Sequence, residues 1–169
     1  MLCATACGSG AAADPNADQA GVAPGAAHDA ASRSTEADRI EVTLTGPAFP
    51  GRHEVTSGMQ CHATAGIWQA TYESNRTAGL SGALVMLQGV PASGGASEQV
   101  TANLVFGQVT DDVDPNAGMV DLHARALGGD ATGSVRREGR GAVLTIEGTS
   151  ANAGKVTVTV HCASVDIVD

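Results

Sequence analysis

Between Lys155 and Cys162 every second residue is apolar: Val156, Val158, Val160 and Cys162 alternate with Thr157, Thr159 and His161. A period of two puts the first set on one face of an extended strand and the second on the other, so the segment reads as a half-buried β-strand and not as an amphipathic helix. The same pattern governs the chain from Arg39 onward. Short runs rich in Val, Thr, Leu and Ile, each bounded by Gly, Pro, Asn or Asp, predict strands over 40–45, 54–62, 67–73, 80–88, 100–109, 119–126, 132–137, 142–147 and 155–165. No segment after Arg39 keeps a 3.6-residue period without a glycine interrupting it. The expected class is therefore all-β: an antiparallel β-sandwich of eight or nine strands, with a small closed β-barrel as the alternative. Gly128-Gly129-Asp130 and Glu138-Gly139-Arg140-Gly141 carry the residues of turns that join antiparallel neighbours.

The core available to such a fold is thin. Aromatic residues make up 2% of the 169, namely Phe49, Trp68, Tyr72 and Phe106, and much of the 43% hydrophobic content is Ala, which buries little area. Trp68 and Tyr72 share strand parity, hence one face, and that face is expected to be the core. A net charge of -9 removes the main electrostatic term of nucleic-acid binding, and no Lys/Arg cluster exceeds Arg136-Arg137 with Arg140 nearby. No apolar run approaches the roughly 20 residues that span a bilayer. Neither of the glycine-rich phosphate-binding motifs is present.

The chain divides into three parts. Residues 1–7 end in Ala4-Thr5-Ala6-Cys7, followed by Gly8-Ser9. Small residues before a Cys and Gly/Ser after it resemble the end of a bacterial lipoprotein signal, which implies that Cys7 carries acyl chains. The charged and apolar portions of an export signal do not precede it, so export would require an extension upstream of Met1. Residues 8–38 are Ala, Gly, Pro, Asp, Ser and Asn with almost no large apolar side chain beyond Val22. Such a segment buries too little to offset an ordering entropy of roughly 1–2 kcal/mol per residue, and is expected to be a disordered tether. Residues 39–169 form the β domain.

Four cysteines fall into two pairs. Cys3 and Cys7 belong to the leader, while Cys61 and Cys162 end two predicted strands about a hundred residues apart. In an exported protein the second pair is most simply a disulfide, and in a cytosolic one two buried thiols. Closing a loop of that length contributes about 4.7 kcal/mol in the chain-entropy model.

Two constellations are candidates for metal. Cys61-His62 and His161-Cys162 are mirror images; if the cysteines pair across two strands of one sheet, His62 and His161 lie side by side on the other face. With His53 or His123 as a third ligand they could hold a transition metal. Asp112, Asp114 and Asn116 follow the alternating oxygens of a calcium loop, although Pro115, the late Gly118 and His123 at the twelfth place depart from an EF-hand. The same stretch reads equally as an Asp/Pro/Asn/Gly turn. Gly79-Leu80-Ser81-Gly82-Ala83 is one residue off a nucleophile elbow, and no paired carboxylates suited to glycoside chemistry stand out, so the domain is not expected to be an enzyme. A small hydrolase with unidentified residues is the third alternative.

Lipobox, Ala/Gly/Ser/Thr/Pro-rich tether and small β domain together resemble the mycobacterial nineteen-kilodalton lipoprotein antigen family. The carrying residues are Ala6-Cys7-Gly8-Ser9, the run 55–61 followed by 63–66, and the closing run 155–162. The resemblance implies acylation at Cys7, a disulfide between Cys61 and Cys162, and a cell-envelope protein facing the extracytoplasmic side. It would be held to the membrane by acyl chains and act by binding or display toward a protein or small-molecule ligand, without catalysis or a resident cofactor.

Overall fold

The computed structural model describes residues 37–74, 78–107 and 118–168. The leader with Cys7, nearly all of the tether, and Asp112, Asp114 and Asn116 lie outside the described residues. Twelve strands follow one another: β1 (Arg39–Leu44), β2 (Gly51–Val55), β3 (Met59–Thr64), β4 (Ile67–Glu73), β5 (Leu80–Gln88), β6 (Gly94–Ser97), β7 (Gln99–Phe106), β8 (Met119–His123), β9 (Thr132–Glu138), β10 (Gly141–Ser150), β11 (Gly154–Cys162) and β12 (Asp166–Val168). They form two six-stranded sheets, ordered β2-β1-β11-β10-β9-β6 and β12-β3-β4-β5-β7-β8, packed as a β-sandwich and not closed into a barrel. The twelve strands pair antiparallel except for β12 with β3, and outside them Ala124 and Ala131 form an isolated parallel bridge.

The alternating pattern of the sequence is the burial pattern of the strands. Val156, Val158, Val160 and Cys162 of β11 face inward, while Thr157, Thr159 and His161 face outward. Ile40, Val42, Leu144, Ile146, Val85, Leu87, Leu104 and Leu122 meet them in one core. Trp68 and Tyr72 are buried there as expected. The indole nitrogen of Trp68 donates to the carbonyls of Val90 and Pro91 at 3.2 and 3.3 Å, so burying this polar atom costs little.

Three expectations are corrected. The predicted strand 54–62 is two strands, because Thr56-Ser57-Gly58, with Gly58 at φ 78°, breaks the run and sends β2 to one sheet and β3 to the other. The predicted strand 155–165 ends earlier, at Cys162, and after Ala163-Ser164 the chain leaves the first sheet for β12 in the second. Gly128-Gly129-Asp130 does not join antiparallel neighbours: β8 and β9 belong to different sheets, and these residues follow a short 3-10 turn, Arg125–Leu127, that carries the chain across the sandwich. Asp130 anchors that crossing by accepting the Thr149 N–H at 2.7 Å, and this hydrogen bond holds its carboxyl below the ordinary aspartate range. Glu138–Gly141 does make the expected hairpin between β9 and β10. The strands β6 and β12 went unseen because Gly94-Gly95-Ala96-Ser97 has no β-propensity and Asp166–Val168 is only three residues long.

Candidate functional site

Cys61 lies on β3 and Cys162 on β11, so their bond joins the two sheets. Both sulphurs come from inward positions, 8% and 4% exposed, and the Cα atoms stand 6.1 Å apart. This placement decides the neighbouring histidines. Residues next to an inward cysteine point outward, and the two sheets have opposite outer faces, so His62 and His161 lie on opposite sides of the molecule. The side-by-side pair expected for one shared sheet does not form. His62 has Asp166 of β12 at 3.9 Å, and His161 accepts through Nε2 from the Arg39 guanidinium at 3.1 Å. Of the suggested third ligands, His53 places its Nε2 2.9 Å from the Phe49 carbonyl and its ring edge-on against Phe106, which stacks on Phe49. His123 does share the outer face of the second sheet with His62. The register His62–Gln69–Met86–Thr101–His123 puts four strand steps between them, roughly 19 Å at about 4.8 Å per step. Among the described residues no group of three or more His, Cys, Asp or Glu gathers around one point.

What the fold does build is a groove on the outer face of the second sheet. Two adjacent cross-strand rows form it. One runs Gln60–Thr71–Leu84–Asn103–Asp121 and the other Glu73–Gly82–Val105–Met119. The register shifts between Leu80 and Gly82, so Ser81 is an extra residue turned inward, its hydroxyl donating to the Gly107 carbonyl at 2.6 Å. The bulge brings Gly82, which has no side chain, between Glu73 and Val105. A Cβ at Gly82 would meet the Val105 side chain at 3.4 Å and the Tyr72 carbonyl at 3.8 Å, ordinary van der Waals contact. The result is an open groove of about 900 Å³, whose lining includes Gln60, Thr71, Glu73, Ser74, Leu84, Asn103 and Val105. Asn103 is held in place, its Nδ2 donating to Asp121 Oδ1 at 2.6 Å.

The electrostatics of this face are one-sided. Among the described residues no strand of the second sheet carries Lys or Arg, whereas Arg39, Arg52, Arg136, Arg137 and Lys155 all lie on strands of the first. The described lining of the groove holds the Glu73 carboxylate and two serines, Ser74 and Ser81. Sequence reasoning singled out none of the groove residues as a site, since Gln60, Thr71 and Asn103 look like any outward strand position. The one available signal was Gly82 inside a strongly patterned strand, a place where a bulge or a close approach is expected. No family model, curated protein or solved structure matches this chain. The reading of the site therefore rests on its own geometry.

Proposed function

We propose that the chain is a lipid-anchored domain of the cell envelope that works by binding and not by catalysis. The observation that carries this reading is the Cys61–Cys162 bond across the sandwich, because a disulfide at the centre of a domain persists in an oxidising compartment and is rare in the cytosol. The Ala4-Thr5-Ala6-Cys7 sequence supports anchoring through Cys7, and the resemblance to the nineteen-kilodalton antigen family points the same way. Two or more acyl chains on one Cys are enough for stable membrane attachment, whereas one is marginal. The composition of 8–38 suits a flexible spacer that lets the domain stand clear of the headgroups. The groove on the second sheet is the surface through which binding would occur.

The test is fractionation of the producing cell. The wild-type chain is expected in the membrane fraction with Cys61 and Cys162 resistant to alkylation until reduced. Cys7→Ala moves the chain to the soluble fraction and abolishes incorporation of labelled palmitate. A wild-type chain recovered soluble and fully alkylatable without reductant ends the proposal.

A further inference from the structure

We infer that the segment from Ala163 to Val168 is a strap over the Cys61–Cys162 disulfide, and that opening of this strap, not unfolding of the domain, sets how fast the bond is reduced. The disulfide joins β11 to β3. The chain leaves β11 at Cys162 itself, passes through Ala163-Ser164-Val165 and returns as β12 along β3. Strap and disulfide therefore connect the same two strands. The parallel register pairs Asp166 with His62, Ile167 with Ala63 and Val168 with Thr64, and continued back by one residue it sets Val165 beside Cys61. Alternation gives Val165 the inward parity of Cys61, and its side chain is partly buried against the core. Val165 thus closes the sandwich next to the sulphurs.

The strap is the weakest cover the sulphurs have among the described residues. Cys162 lies opposite Ala142 of β10 and Cys61 opposite Ala70 of β4, both buried, so reaching the bond from those sides means parting paired strands of the core. By contrast, all three residues of β12 are exposed, Ile167 and Val168 by about half of their surface. Beyond the short ladder with β3, the strap is tied by the Ala163 N–H donating to Asp38 Oδ1 at 2.8 Å and the Val165 N–H donating to the Arg140 carbonyl at 3.1 Å. An exposed His62–Asp166 pair at 3.9 Å adds little. A segment with few buried apolar contacts and solvent-facing hydrogen bonds opens at a fraction of the global free energy. Exchange needs a thiolate to reach one sulphur, so access governs its rate. With a dithiol, one thiolate attacks and the other cysteine leaves. The second thiol then closes on the mixed disulfide, which frees Cys61 and Cys162 as thiols and leaves the reagent as its cyclic disulfide. Shut, the strap makes the bond a permanent staple; loosened, it makes the same bond responsive to thiols.

Fractionation reports the compartment, whereas the rate of reduction reports the strap, so the two readings fail separately. Purified, oxidised full-length chain is treated with excess dithiothreitol, and the initial appearance of Cys61 and Cys162 thiols is followed by alkylation and peptide mass spectrometry. Urea is raised in steps below the unfolding transition. The wild-type rate is expected to stay nearly flat across these steps, because opening the strap exposes little surface, whereas reduction through global unfolding would climb with the full equilibrium slope. Val165→Pro removes the N–H that meets Arg140 and the side chain beside Cys61, and should speed reduction about tenfold or more. Asp38→Ala removes the acceptor of the Ala163 N–H and should speed it about threefold or more. Leu122→Ala, buried in β8 at the far edge of the same sheet, lowers the urea midpoint and leaves the rate within about twofold of wild type. The urea dependence needs no variant, and circular dichroism establishes that each variant is folded. A wild-type rate that climbs along the global slope, rates that follow the urea midpoint across the variants, or Val165→Pro reduced no faster than wild type overturns the strap.

Discussion

The two outer faces of the sandwich are built from the same alternating strands and yet differ in how their polar groups are satisfied. On the first sheet the charges satisfy one another: Glu41 receives Arg39 at 2.8 Å and Arg52 at 2.9 Å, Arg52 also reaches Glu54 at 3.3 Å, and Arg136 pairs with Glu138. Between these ion pairs lies a run of hydroxyls, with Thr43 opposite Thr157 and Thr159 opposite Thr145, which is in turn opposite Ser134. Among the described residues the strands of the second sheet carry no Lys or Arg, and a bulge there sets a glycine where a regular strand would have a side chain. The first sheet thus presents both signs of charge, several of them mutually paired, while the second presents carboxylates and neutral polar groups.

That contrast can be broken or sharpened by five changes. The largest effect is expected where the sheets are tied together: with a sequence separation of 101, the Cys61–Cys162 bridge is worth about 4.7 kcal/mol in the chain-entropy model, and Cys61→Ser with Cys162→Ser should lower the urea-derived stability by that order. For a domain whose total stability is of order 5–15 kcal/mol the loss approaches unfolding. Retained midpoint and slope in the double variant would show that packing alone holds the sheets. Trp68→Ala, which empties a site 1% exposed beneath the Arg137 guanidinium, should cost about 3–5 kcal/mol. Leu144→Ala on the facing sheet is expected in the range of about 2–5 kcal/mol, so the inner faces should prove alike where the outer faces differ.

Smaller effects separate the outer faces. Glu41→Gln removes the negative charge shared by Arg39 and Arg52 and should cost about 1 kcal/mol or less, a difference that fades in concentrated salt because these groups are partly exposed. Denaturation midpoints at low and high ionic strength measure it. The smallest effect concerns Asp130. Its carboxyl is held below the ordinary range by the Thr149 N–H, so its contribution is present above that range and is lost as pH falls through the folded-state value. Asp130→Asn should flatten the acid limb of the stability profile, below the ordinary aspartate range, and leave its alkaline limb unmoved.

The strands themselves were legible from alternation, because burial of one face forces a period of two whatever the partner strand is. That Trp68 and Tyr72 share a face followed from parity, and that the face is the core from the scarcity of other aromatics. Which sheet each strand joins was not legible. The local pattern of β2 and β3 is the same on either side of Gly58, and only the packed core assigns one to each sheet. The histidine pair failed for that reason: the sequence placed His62 and His161 beside their cysteines, but whether they met depended on whether Cys61 and Cys162 shared a sheet. The groove was hidden for a related reason, since Gln60, Thr71 and Asn103 are 43 residues apart at the extremes and become neighbours only through the register of four strands.

By itself, then, the order of residues determined an all-β body, its inward and outward positions, and a cysteine pair able to staple a core poor in aromatics, because these follow from local geometry and composition. Tertiary structure alone decided the sheet partition, the inter-sheet position of the disulfide and the groove over Gly82. Each depends on contacts between segments far apart in the chain, and no period or propensity within one segment encodes the register at which another will meet it.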